Sequence, residues 1–144
     1  MLAEQNETFV KFLGLFSPVI GNVYIRGEPD SFFSEGELAT RGMMNNFTKA
    51  LAKDYETCKD DVDVFSNLMS DEVNKKMPRT LIMTYEFDTC RKGAEEGAVL
   101  YRRNGRLIDF GCIKGTHHCS YFKYDLQRTD EFFRVVQQAV TATL

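Results

Sequence analysis

The sequence lacks the features that mark membrane-spanning, secreted or nucleic-acid-binding chains. It has no run of about 18 apolar residues, so we expect no transmembrane helix. The apolar stretch from Phe9 to Ile20 is interrupted by Lys11 and has neither a basic leader nor a small-residue cleavage site, so it is a poor signal peptide. Basic residues form no run longer than two and the formal net charge is -3, so we expect no nucleic-acid partner.

The sequence also lacks the spacing of a thiol or metal site. None of the four cysteines forms a Cys-x-x-Cys pair, and we therefore expect reduced, inert thiols and a cytoplasmic location (Cys58, Cys90, Cys112 and Cys119). His117, His118 and Cys119 are consecutive, whereas zinc ligands are normally two to four residues apart. We predict no metal and no cofactor.

What is present is the composition of one soluble globular domain, residues 1–144. Apolar residues make up 43% of the chain and charged residues 27%. Continuous apolar runs predict strands, and apolar residues spaced three to five positions apart predict helices. The predicted strands and helices alternate along the chain (strands 9–16, 80–86 and 107–113; helices 36–55, 91–103 and 130–143). We predict that residues 21–79 form a loop-and-helix insertion between the first two strands. Such alternation predicts an α/β fold, a parallel sheet with helices on both faces in a three-layer sandwich.

Two ionisable residues follow predicted buried strands. Asp88 comes just after strand 80–86, and His118 comes five residues after strand 107–113. If the two strands are neighbours, both side chains lie at the same edge of the sheet, where a carboxylate can orient a histidine that acts as general base. The alternative is that Asp88 caps the helix that begins near Arg91.

No serine is a credible nucleophile for this acid and base. A nucleophile elbow has the pattern Gly-x-Ser-x-Gly, and no serine has glycine both two residues before and two residues after it. Ser17 has the best position, at a strand end, but Pro18 supplies no N–H for an oxyanion hole. Cysteines beside the acid and the histidine are better interpreted as buried thiols than as replacements.

Several segments resemble the C-terminal portion of the α/β-hydrolase fold, and most closely the hormone-sensitive-lipase-like carboxylesterases. Residues 77–88 (MPRTLIMTYEFD) resemble the segment that ends at the triad acid, and residues 115–118 (GTHH) resemble the G-x-x-H segment that ends at the triad base. The resemblance implies that Asp88 is the acid and that His118, rather than its neighbour His117, is the base. Thr89-Cys90 stands where the family has Pro-Leu, and Cys119 stands where it has glycine.

The resemblance implies a partial α/β-hydrolase fold, its last three parallel strands with their helices. It also implies a Ser-His-Asp carboxylic-ester hydrolase whose N-terminal half would carry the serine, acting on a small-molecule or lipid ester. The alternative is a non-catalytic remnant or interaction module. In that case strand 9–16, which would normally pair with the missing nucleophile strand, would have an open edge through which the chain could self-associate.

Overall fold

A parallel sheet forms the centre of the molecule. The computed structural model describes residues 10–20, 69–118 and 126–143, with only the backbone described at 126–128. Its elements are β1 (Phe12–Phe16), α1 (Asp71–Lys75), β2 (Arg79–Phe87), α2 (Arg91–Arg103), β3 (Leu107–His117) and α3 (Leu126–Thr141). Among these residues the strands form one sheet in the order β1-β2-β3, and both pairs of neighbours are parallel.

The two longer helices cover opposite faces of this sheet. Alternate residues of β2 point to opposite sides, as the two-residue period of a strand requires. Leu81, Met83 and Tyr85 pack in one cluster with Phe132 and Ala139 of α3. On the other face Ile82 packs in a second cluster, with residues of α2 and with Ile20 (Ala94, Ala98 and Tyr101). The predicted three-layer α/β architecture is confirmed.

The central strand is buried on both sides, as its continuous apolar sequence predicts. Residues 80–85 are all buried, and Leu81 and Ile82 have no exposed surface. Helix α2 begins and ends at the predicted residues, and α3 begins at Leu126, four residues before the predicted start. No helix of the described residues is long and apolar enough to cross a membrane.

Most of the predicted insertion at 21–79, including the predicted helix 36–55, lies outside the described residues. The described part of that range contains the short helix α1, whose first turn is capped by Ser70: its hydroxyl accepts a hydrogen bond from the N–H of Val73 at 3.3 Å. The last residue of the range, Arg79, is the first residue of β2.

The third strand is longer than predicted. β3 continues through His117 instead of ending at Ile113. Tyr85 pairs with Ile113 and Phe87 pairs with His117, so residues 114–116 lie opposite Glu86 alone. Gly115 takes a left-handed φ of 65° in this bulge, and its N–H donates to Glu86 Oε2 at 2.7 Å. The polar residues predicted as a loop are therefore held against β2 as an irregular part of the strand.

Candidate active site

Asp88 and His118 lie together because they follow paired residues of neighbouring parallel strands. Phe87 is the last residue of β2, His117 is the last residue of β3, and the two are register partners. Asp88 and His118 come directly after them. The prediction that His118 lies five residues beyond its strand is wrong, because the bulge opposite Glu86 extends the strand to the residue before it.

The two side chains are in hydrogen-bond contact. His118 Nδ1 lies 2.9 Å from Asp88 Oδ1. An ionised carboxylate can only accept, so the ring donates its Nδ1–H to Asp88. The carboxylate is buried, with Asp88 1% exposed, whereas the side chain of His118 keeps 23% of its surface exposed. The geometry is that of a carboxylate that orients a partly accessible imidazole.

The turn between β2 and α2 fixes the position of the carboxylate. The Asp88 N–H donates to the carbonyl of Tyr85 at 3.2 Å, and the Asp88 carbonyl accepts from the N–H of Arg91 at 3.1 Å. Asp88 Oδ1 also accepts from the N–H of Cys90 at 2.7 Å. Cys90 is the N-cap residue of α2 and makes no side-chain capping bond. Asp88 therefore satisfies an amide at the start of the helix without being its cap, and the same oxygen contacts His118.

The contacts of His118 change its proton affinity. The hydrogen bond to Asp88, followed by the contact with Cys90, raises the pKa of His118 to about 10, although burial acts in the opposite direction. The buried carboxylate thus stabilises the protonated form of the ring.

His117 takes a different position from that of His118. Its ring lies beside the ring of Phe87, with centroids 5.5 Å apart and planes tilted by 40°. The ring that makes the hydrogen bond with Asp88 is that of His118, and its assignment as the base stays a prediction.

Cys90, which the sequence places beside the predicted acid, is also a neighbour of His118 in the structure. Asp88, Cys90 and His118 each offer one metal-ligating atom, and these atoms all lie within 4.8 Å of one another. The signal in the sequence is the replacement of the family's leucine by a cysteine two residues after the acid. His117 is not part of this group, and Cys119, the third of the consecutive residues considered from sequence, lies outside the described residues.

Ser17 lies at the end of β1 with a φ of 47°, in the left-handed region. It is 5% exposed, and its N–H donates to the carbonyl of Met83 at 2.9 Å. A strained turn after a strand is also how a nucleophile is presented in an elbow. Here Pro18 follows, so the oxyanion donor that an elbow requires is missing.

The chain was compared with known families and solved structures. The model of the family described as alpha/beta hydrolase fold matches residues 1–122. A search of curated proteins found no match.

Solved esterases share the fold at low sequence identity. Carboxyl esterase 2 of the mycorrhizal fungus Tuber melanosporum has a TM-score of 0.82 and 19% identity over 99% of this chain and 48% of its own. An esterase of Rhizomucor miehei has a TM-score of 0.81 and 20% identity, covering 97% and 43%. Brefeldin A esterase, a bacterial homologue of human hormone-sensitive lipase, has a TM-score of 0.74 and 18% identity, covering 93% and 39%.

The chain thus spans less than half the length of these esterases. The family match covers most of the chain, and it agrees with the parallel order of the strands and with the helices on both faces of the sheet. The chain belongs to the alpha/beta hydrolase fold family.

Proposed function

We propose that this chain supplies the acid and base of a carboxylic-ester hydrolase of the Ser-His-Asp type, with Asp88 as acid and His118 as base. The observation that carries the proposal is the 2.9 Å contact between His118 Nδ1 and the buried carboxylate of Asp88, at the carboxyl ends of two adjacent parallel strands. The similarity to solved esterases supports the same chemistry. The serine nucleophile would lie outside these 144 residues.

The proposed mechanism uses the two ring nitrogens of His118 differently. Nδ1–H is engaged by Asp88, which leaves Nε2 for the nucleophile. Nε2 takes the serine proton as the hydroxyl attacks the ester carbonyl, and later gives it to the departing alcohol. Asp88 holds the ring in the required tautomer and stabilises the imidazolium. Water then attacks the acyl-enzyme, with His118 again acting as base.

The substrate class is a small-molecule or lipid ester. The acyl and alcohol groups would be chosen by the half of the fold that carries the serine and the oxyanion loop. We propose a reducing, cytoplasmic location, because the four cysteines form no Cys-x-x-Cys pair.

The first experiment is the intact mass of the native protein from its source, combined with labelling by a fluorophosphonate. We expect a mass about twice the 16.5 kDa of this chain, because the esterases that share the fold are about twice as long. We also expect the probe to label the native protein and to leave the purified 144-residue chain unlabelled. A labelled 144-residue chain would show that a nucleophile is present in it and would refute the proposal.

Adjacent histidines give a matched pair of variants for the native protein. We expect His118→Gln to lower kcat by roughly 10⁴- to 10⁶-fold, the range found when a triad member is removed from other hydrolases. His117→Gln should stay within a few-fold of wild type, because its ring lies beside Phe87 and not beside the carboxylate. Equal losses in both variants would contradict the assignment of the base.

The second candidate is a non-catalytic interaction module. It is favoured by the edge of β1, which has no strand partner on its outer side within the described residues. All five residues of β1 are only partly buried, and an open edge of this kind invites strand addition. A native mass of 16.5 kDa with concentration-dependent self-association in sedimentation velocity would favour this candidate over the hydrolase.

A further inference from the structure

Cys90 is held against the Asp88–His118 pair by the turn that starts α2. Its N–H donates to Asp88 Oδ1 at 2.7 Å, which folds the aspartate side chain back over the turn. Cys90 is 3% exposed and is the second hydrogen-bond partner of the His118 ring. A carboxylate, a thiol and an imidazole are thus gathered with their ligating atoms within 4.8 Å of one another.

One oxygen of this cluster has no partner. Asp88 Oδ1 takes both the Cys90 amide and the His118 ring, whereas Oδ2 is buried and has no hydrogen-bond partner. A buried charged oxygen without a partner costs more than a neutral one, and such an atom calls for a specific explanation. A cation beside Oδ2 would supply the missing interaction.

We propose that Asp88, Cys90 and His118 form a binding site for a borderline-soft divalent cation, with Zn²⁺ as the best fit. Thiolate, imidazole and carboxylate are the three ligand types of zinc, whereas Ca²⁺ and Mg²⁺ prefer oxygen ligands only. Three protein ligands leave one position for water, and the partly exposed side chain of His118 shows that the cluster is not closed to solvent.

The geometry requires a small contraction. Zinc–ligand distances of about 2.0–2.3 Å in a tetrahedron place ligand atoms about 3.3–3.8 Å apart. The cluster has all its ligand atoms within 4.8 Å, so each pair must close by about 1.5 Å at most. His118, the most exposed of the three, can make this adjustment by rotating its side chain.

Binding exchanges protons for metal–ligand bonds and transfers no electrons. The Cys90 Sγ–H proton passes to solvent as the sulfur–metal bond forms. His118 must bind as the neutral ring, so a protonated ring also releases one proton to solvent as the nitrogen–metal bond forms. Neutral imidazole has one nitrogen lone pair, and whichever ring nitrogen binds the metal uses it. The metal-bound ring can therefore no longer act as a general base. If the proposed hydrolase function is correct, zinc inhibits the enzyme reversibly at its own acid and base.

Binding is tested on the 144-residue chain with Co²⁺, so that the result does not depend on hydrolase activity. We expect a near-ultraviolet thiolate-to-cobalt charge-transfer band that saturates at one equivalent and disappears when Zn²⁺ is added. Cys90→Ser should abolish the band and weaken Zn²⁺ binding by at least roughly 10- to 100-fold, the loss that even an outer-shell change can cause. Cys112→Ser is the matched control and should keep the band, because Cys112 lies on β3 and is not part of the cluster.

A second measurement on the unmodified chain keeps the test valid if Cys90→Ser does not fold. Alkylation by iodoacetamide, mapped by peptide mass, should be slowed by Zn²⁺ at Cys90 and not at Cys112. Absence of a charge-transfer band in the folded wild-type chain, a band that survives in Cys90→Ser, or unchanged alkylation of Cys90 would each overturn the site. None of these results depends on whether the native protein hydrolyses esters, and zinc inhibition of the native enzyme is a separate measurement.

Discussion

Exchanging Asp88 for asparagine removes one negative charge while keeping the shape of the side chain. The amide oxygen of Asn can still accept from the N–H of Cys90, so the turn that starts α2 keeps its hydrogen bond. What changes is the electrostatic environment of His118, whose pKa is raised to about 10 chiefly by Asp88. Without the charge, the contact with Cys90 still raises the pKa and burial still lowers it, so we expect the pKa of His118 to fall from about 10 towards its ordinary value of 6.5.

The same shift predicts how stability depends on pH. Because the pKa is higher in the folded chain than in the unfolded chain, the ion pair contributes fully below about pH 6.5 and is lost as pH rises towards 10. The full difference between the folded and unfolded pKa of His118 corresponds to about 5 kcal/mol of stability. Because the ring is only half-buried, solvent screens the interaction, and we expect the ion pair to contribute about 1–3 kcal/mol to the free energy of unfolding. Asp88→Asn should remove this decline of the free energy of unfolding between neutral and alkaline pH.

Two-dimensional proton–carbon NMR of the imidazole rings is the direct assay. The chain has only two histidines, and His117→Gln identifies the resonances of the other. Urea denaturation of wild type and Asp88→Asn across the same pH range gives the linked stability change. The reasoning would be refuted if His118 of the wild-type chain titrated near its ordinary pKa, or if Asp88→Asn left its titration unchanged.

Three further substitutions test the packing around the site. A methyl group added at Gly97 would lie 2.8 Å from Cδ1 of Ile20. We expect Gly97→Ala to lower the free energy of unfolding by about 1 kcal/mol, because the cost of overpacking is larger than the gain in helix propensity. In a chain that already carries Ile20→Ala, Gly97→Ala should instead raise the free energy of unfolding, because the side chain it would clash with is gone. If urea denaturation showed that the effects of the two substitutions simply add, the proposed clash would be contradicted. Glu86→Ala should speed hydrogen exchange of the Gly115 amide several-fold, because the substitution removes the carboxylate that accepts a hydrogen bond from this amide. In the wild-type chain the Gly115 amide should lose its protection from exchange only in acid, because its hydrogen bond lowers the pKa of Glu86. Protection that persists in Glu86→Ala would rule out the hydrogen bond between Glu86 and Gly115. Ile82→Ala should lower the free energy of unfolding by about 2–5 kcal/mol, because the side chain is fully buried between β2 and α2, and a loss within 0.5 kcal/mol would exclude that burial.

Features with a local cause were predictable from sequence. The buried run 80–86 and the amphipathic helix 91–103 depend on periodicity and nearby caps, and both lie within two residues of the predicted bounds. The alternation of strands and helices was enough to predict the parallel sheet and its two covering layers.

Features that depend on contacts between strands were not predictable. The extension of β3 arises from a bulge in which Glu86 of β2 binds the N–H of Gly115, residues that are far apart in sequence. The position of Cys90 beside His118 depends on the turn after β2 and on the register of β2 with β3 together. The catalytic roles of Asp88 and His118 stay a prediction until the native protein is assayed.

Asp88 Oδ1 serves the fold and the proposed chemistry with a single atom, since it accepts from both the Cys90 amide and the His118 ring. Selection on folding alone would therefore retain an acceptor at position 88, either aspartate or asparagine, after the loss of hydrolase activity. His118 is under no such constraint from the start of α2, so drift after the loss of activity would first be visible there. In a set of descendants of this domain, an intact acceptor at position 88 records only a fold that is still needed, and it is the base that reports whether ester hydrolysis has been kept.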